Sequence, residues 1–178
     1  MRDFVRNNQR ITYIHSLNLG YGAGHNIAIR KALESGADYH VVLNPDIYWD
    51  GDVIGGLAKF MDTNPDVGQV MPKVPGRFTE KRLQKFQLRA TGYDKLMNVP
   101  YLSGCFMFFR LKALKDVGLF DERFFMYPED IDITRRIHAK YKTMFYPHVS
   151  IIHAHAAASK TDKRMLKIHI INMVRYFN

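Results

Sequence analysis

The spacing of apolar and polar positions changes several times along the chain, and each change predicts an element. Residues 39–43, YHVVL, form a compact apolar run that stops abruptly at Asn44-Pro45-Asp46 and predicts a buried strand. Residues 26–33 place Ile27, Ile29, Ala32 and Leu33 at helical spacing, and Gly36 ends the run. The same reading predicts helices over 53–61, 112–117 and 131–140. It predicts strands over 11–14, 67–71, 99–109, 144–146 and 149–153. Residues 72–98 are basic and weakly periodic and predict a long loop, a feature usually functional or mobile in compact domains. The tail, 161–177, sets Met165, Leu166, Ile168, Ile171, Met173 and Val174 among basic residues and predicts an amphipathic helix. Strands alternating with helices predict an α/β layered fold with a mostly parallel central sheet, where ligands collect at the carboxyl ends of strands.

Composition narrows the class. The 178 residues are 47% apolar and 24% charged, which suits one globular domain with its own core. No apolar run approaches the ~20 residues of a membrane span. The first residues, MRDFVRNNQRITYIH, lack the apolar core of a signal peptide. The single cysteine, Cys105, excludes an internal disulfide framework, suits a reducing cytoplasm, and reads as a small buried residue within YLSGCFMFF. A net charge of +9 is compatible with phosphate-bearing ligands, nucleic acid or an anionic membrane surface. The basic segments do not interleave aromatics in the manner of an RNA-binding sheet, so nucleic acid is not expected as a partner.

Four stretches could carry chemistry. Residues 118–132, GLFDERFFMYPEDID, set five acids among four aromatics, and Pro128 puts Glu129 and Asp130 in a helical first turn beside the positive end of the macrodipole. Such carboxylates can accept a proton or bind metal, or they can simply cap the helix. Residues 18–26, NLGYGAGHN, combine Asn18, Gly20, Gly22, Gly24 and Asn26 at a helix entrance, where backbone can approach phosphate. The segment is neither a Walker A loop nor a dinucleotide fingerprint, and taken alone it reads better as a flexible turn with His25 or Asn26 near the cap. Asn44-Pro45-Asp46 places a carboxylate at a strand end where a divalent ion bound to phosphates needs oxygen, although it is also good turn chemistry. His153 and His155, two apart on a strand, share a face and could bind zinc, with His148 nearby. A hydrogen-bonded histidine at a strand end is the plainer reading.

Taken in order, NLGYGAGHNIAI, YHVVLNPDI, YLSGCFMFFR, GLFDERFFMYPEDIDITRRI and SIIHAHAAAS resemble a family-2 glycosyltransferase of the GT-A fold. The resemblance is strongest to the bacterial rhamnosyltransferase-like branch that builds surface polysaccharides. It implies inverting transfer of a sugar from a nucleotide-diphosphate donor to the hydroxyl of a glycan or lipid-linked acceptor. Asp46 would then bind Mg²⁺ or Mn²⁺ bridging the diphosphate, with Asn44 beside it. Asp130 would be the general base, and Glu129 would orient the acceptor or the base. His153 would reach the metal or diphosphate, with His155 as the alternative. Ser103, Gly104 and Tyr127 would line the acceptor side, and the glycine segment the donor side.

The resemblance also implies departures. Family members open with a VSVVIVTYN-like strand and an Asp-bearing element, and this chain begins after both. It is therefore expected to lack part of its nucleotide-binding half, to leave a sheet edge open to a partner or a second copy, and to bind donor weakly when alone. Asn44 also stands where a two-carboxylate motif has Asp. The expected organisation is one domain over 1–178: a remnant of the nucleotide half over 1–50, an acceptor half over 51–160 and the tail helix over 161–178. The expected location is cytoplasmic, peripheral at the inner face of the membrane if the basic tail docks there. General amphipathicity favours instead a tail packed on the domain with its charges in water. A truncated, non-catalytic remnant and a zinc hydrolase using His153 and His155 are the rival functions.

Overall fold

A computed structural model describes residues 10–74, 94–154 and 163–177. Its organising strand is β5 (Phe106–Arg110). Side chains alternate across a strand, so Phe106 and Phe108 enter one core while Met107 and Phe109 enter another on the opposite face, and all four are buried. A strand apolar on both faces must lie inside a sheet, each such side chain contributing roughly 2 kcal/mol by burial. β5 runs antiparallel between β1 (Tyr39–Leu43) and β3 (Val67–Lys73). Beyond β3 lie β6 (Lys142–Ser150), which is parallel to it, and then the short β4 (Met97–Asn98), antiparallel to β6. The order is β1-β5-β3-β6-β4.

The sheet is thus mixed rather than mostly parallel. β1, β3 and β6 share a direction, but β5 is inserted against them. Periodicity reports the type of an element; direction depends on how the connections traverse the sheet.

Helices cover both faces. α2 (Val53–Asp62) lays Val53, Leu57 and Met61, one turn apart, on the first core, and Asp52 accepts the Gly55 N–H at 2.9 Å as its cap. On the second core sit α1 (Tyr21–Glu34), α3 (Leu111–Val117) and α4 (Glu129–His138), through Ile29, Leu111, Leu114, Ile133 and Ile137. α4 has Glu129, Asp130 and Asp132 in its first turn and Arg135, Arg136 and His138 in its last, matching both ends of the macrodipole. Arg136 pairs with Asp132 at 2.6 Å and donates to the carbonyls of Val117, Gly118 and Leu119, tying α4 to the end of α3. A fifth helix, α5 (Lys163–Phe177), packs against the entrance to α4.

Several boundaries differ from those the sequence predicts. Residues 11–14 form no strand. α1 starts at Tyr21 instead of 26, which puts Gly22 and Gly24 inside the helix, because tertiary contacts override their poor helix propensity. The expected strand over 99–109 is regular only from Phe106, and the two expected last strands are β6 and the two-residue β7 (Ile152–His153). β7 pairs antiparallel with β2 (Ile47–Tyr48) as a separate small sheet. Most of the expected 72–98 loop lies outside the described residues, as does His155. Cys105 is buried, as expected.

Candidate active site

The two strongest sequence candidates come from opposite parts of the chain and meet at one end of β1. Where the β1–β5 ladder finishes at Leu43 and Phe106, the Asn44 N–H donates to the Cys105 carbonyl at 3.0 Å. One residue further, the Gly104 N–H donates to Asp130 Oδ2 at 2.9 Å. The NPD turn and the first turn of α4 are therefore separated by a single strand end.

On the NPD side, the β2–β7 pairing sets Ile47 opposite His153, and the Ala154 N–H closes on the Asp46 carbonyl at 3.0 Å. That register brings His153 Nε2 to 3.1 Å from Asp46 Oδ1 and 3.4 Å from Asn44 Nδ2. The His153 side chain is 2% exposed while that of Asp46 is 37% exposed, so the carboxylate faces solvent over a held imidazole. Among the described residues no three His, Cys, Asp or Glu side chains cluster as a metal cage, and His155, which the zinc reading needs, lies outside them. Two donors, one an exposed carboxylate, still fit a Mg²⁺ or Mn²⁺ ion that takes its remaining oxygens from water and substrate phosphates. Beside this strand pair lies a cavity of about 390 Å³ lined by Ile47, Tyr48, Trp49, Asp50 and Ile152.

On the other side, Asp130 is held from three directions. Gly104 N–H and the Tyr101 hydroxyl (3.2 Å) donate to Oδ2, and the Ile131 N–H donates to Oδ1 at 2.9 Å. Burial pushes its pKa above the ordinary aspartate value, opposed by those hydrogen bonds. A Cβ on residue 104 would come within 3.3 Å of Asp130, so glycine there permits the close approach. Neighbouring Glu129 is buried, its Oε2 has no hydrogen-bond partner, and burial followed by the Asp130 charge raises its pKa to about 7. Tyr127 carries a positive φ of 56° and rests its ring on His169 of α5, 4.9 Å between centroids. Ser103 is buried with its hydroxyl turned to the Cys105 N–H; it supports the turn rather than facing outward.

The glycine segment serves the catalytic turn more visibly than it offers a phosphate cradle. Gly20 (φ +93°) lies so close to the Phe125 backbone that a Cβ would clash, and the Tyr21 N–H donates to the Phe125 carbonyl at 2.8 Å. Gly22 admits the Phe120 side chain, whereas Gly24 has open space around it. Asn26 is buried, and all its polar capacity is spent on the Phe120 backbone N–H and carbonyl and on Glu122, so it faces the protein rather than a ligand. Asn18 is exposed and accepts from the Gly20 N–H at 3.2 Å. Two residues that sequence reasoning missed belong to this centre: Tyr101, which holds Asp130, and Tyr21, whose hydroxyl bonds the Gly104 carbonyl. Each stands inside a stretch already singled out, GYG and YLSG, but nothing in those stretches points to its hydroxyl.

An α/β sandwich with this strand order and a carboxylate turn at the end of its first strand is the GT-A fold of nucleotide-diphospho-sugar transferases. The chain belongs to glycosyl transferase family 2, whose family model matches residues 1–118. It is 26% identical over 180 residues to the N-acetylglucosaminyl-diphospho-decaprenol L-rhamnosyltransferases of two Mycobacterium tuberculosis strains, covering 82% of this chain. It spans 59% of the length of those relatives. In fold it resembles GalNAc-T7 with UDP, GalNAc and Mn²⁺, at TM-score 0.62 and 14% identity, over 79% of this chain and 31% of that one. It also resembles the mannosyltransferase PcManGT of Pyrobaculum calidifontis in complex with GDP-Man and Mn²⁺, at TM-score 0.58 and 21% identity, over 78% and 37%. A third likeness is to S. aureus TarS 1-349 in complex with UDP, at TM-score 0.60 and 16% identity, over 94% and 49%.

Proposed function

We propose that this chain is the catalytic part of an inverting glycosyltransferase that moves a sugar from a nucleotide-diphosphate donor to a hydroxyl of a glycan or lipid-linked acceptor in surface-polysaccharide assembly. The observation that carries the reading is the approach of the Asp46–His153 pair to the Asp130 turn across the Asn44–Cys105 and Gly104–Asp130 hydrogen bonds. One side suits a diphosphate with its counter-ion and the other a proton acceptor. The donor's anomeric carbon belongs between them.

In this reading Asp130 takes the proton of the acceptor hydroxyl as that oxygen attacks the anomeric carbon and the nucleoside diphosphate departs. Burial raises its pKa, which makes the carboxylate a better proton acceptor than an ordinary aspartate. Gly104 and Tyr101 aim the carboxylate, and Tyr127 borders the acceptor side. Glu129, buried beside Asp130 in the same first turn, orients the acceptor or the base. Asp46 and His153 would hold a divalent ion, Mg²⁺ or Mn²⁺, which would neutralise charge on the departing diphosphate. Asn18 and the 20–24 backbone border the donor side.

Release of nucleoside diphosphate from UDP-, GDP- and dTDP-sugars with Mn²⁺ tests the reading. Asp130→Asn is expected to lower turnover by about a thousandfold with an unchanged circular dichroism spectrum. Normal turnover in that variant would refute the assignment of the base. Neither donor binding nor turnover in the parent chain would favour a non-catalytic remnant.

A further inference from the structure

The tail helix α5 turns one face to the domain and leaves an apolar stripe on the other. The inward face carries His169, Asn172 and Tyr176. Asn172 is buried and donates to the Met126 carbonyl at 2.9 Å, His169 meets the Tyr127 ring, and the Tyr176 hydroxyl accepts from Arg135 at 2.8 Å. The helix therefore sits directly on the catalytic turn. On the side turned away, Leu166, Ile170, Val174 and Phe177 are 50%, 55%, 57% and 73% exposed. At about 100° per residue these four fall within one stripe roughly 80° wide. Lys163 begins the stripe, Lys167 flanks it, and both are exposed; the fifteen-residue helix also carries Arg164 and contains no acid.

A helix that only packed on the domain would show water its charges and not an apolar stripe. An outward stripe of Leu, Ile, Val and Phe bordered by lysines matches the chemistry of a bilayer interface with anionic headgroups, and a chain charge of +9 adds long-range attraction. Among the described residues no helix is long and apolar enough to cross a membrane, so this contact is one that lies on the surface.

We infer that the outward stripe of α5 docks the protein on an anionic lipid surface. Docked so, the catalytic turn stands about one helix diameter, roughly 10 Å, from the headgroups. That places it within reach of a lipid-linked acceptor, a consequence that rests on the transfer reading.

Flotation of the full chain with phosphatidylglycerol vesicles and, separately, phosphatidylcholine vesicles tests the contact. Preference for the anionic vesicles by at least about tenfold is expected, weakening as salt rises. The Ile170→Asp/Val174→Asp variant should lose binding while keeping its circular dichroism spectrum, since both side chains are exposed. Lys163→Gln/Lys167→Gln should weaken binding by about fivefold per lysine. Equal affinity for both vesicle types, or unchanged binding by the Ile170→Asp/Val174→Asp variant, overturns the inference. A parent chain that never floats, yet elutes as a dimer that the same variant dissociates, also overturns it and assigns the stripe to a second copy. No donor or acceptor is present in this experiment, so its outcome is independent of the Asp130→Asn result.

Discussion

Asp46 and Asp130 stand at the same end of the sheet, yet the protein holds them in opposite ways. Asp46 sits in the turn that leads into the two-residue strand β2, with its carboxylate over a third exposed and touched by one imidazole. Asp130 is enclosed in a helical first turn, with a backbone N–H and a phenol on one oxygen and a second N–H on the other. An exposed carboxylate with spare lone pairs is suited to a hydrated cation; an enclosed one with its basicity raised by burial is suited to a proton. The same residue type thus stands in two environments that differ in exposure and in hydrogen bonding.

The comparison can be broken by exchanging what each carboxylate depends on. Asp46→Asn should lower turnover by about a hundredfold, and the loss should appear as a lost response to Mn²⁺ titration, whereas Asp130→Asn should leave Mn²⁺ affinity unchanged. If the two variants respond alike to metal, the division of labour is wrong.

Tyr101→Phe gives a smaller and more diagnostic effect. The hydroxyl donates to the ionised carboxylate and so holds its pKa down; removing it should raise that pKa further. The acid limb of the pH–rate profile should then move up by about one unit, with turnover near neutrality falling by roughly tenfold or less. A profile that only scales, without shifting, would make Tyr101 a packing residue.

Glu129→Gln should cost least in turnover and show itself in stability. The folded-state pKa of Glu129 is raised to about 7 from an ordinary 4.5, so folding favours its protonated form. The stability this gives is fully present below about pH 4.5 and is lost as pH rises through about 7. Relative to the parent, the glutamine variant should gain up to about 3 kcal/mol above pH 7 and nothing near pH 4. Thermal unfolding across that range checks the sign, and a variant less stable at pH 8 than at pH 5 would contradict it.

Much of this arrangement is written locally. YHVVL followed by NPD specifies a buried strand with a carboxylate at its end, and Pro128 before Glu129-Asp130 specifies a helical first turn with two acids in it. Helical spacing in α2 and α4 and the two-faced alternation of β5 are of the same kind, because burial of alternate or one-turn neighbours is decided by neighbours in sequence. Local pattern misread the glycine segment. Gly22 and Gly24 look like loop residues, but Phe120 and Phe125, a hundred positions on, fill the space left by the missing side chains at Gly20 and Gly22 and let α1 begin at Tyr21.

The sequence by itself determined the types of most elements and the two carboxylates worth testing, which short-range sterics and periodicity fix, and the order of its motifs carried the resemblance to the family. Only the tertiary structure decided that β5 runs against its neighbours, that β2 meets β7 so His153 reaches Asp46, that Tyr101 bonds Asp130 and Tyr21 the Gly104 carbonyl beside it, and that α5 leaves an apolar stripe exposed. Those facts depend on pairings between residues far apart in the chain, settled by which surfaces bury one another, and a one-dimensional pattern carries no record of that choice.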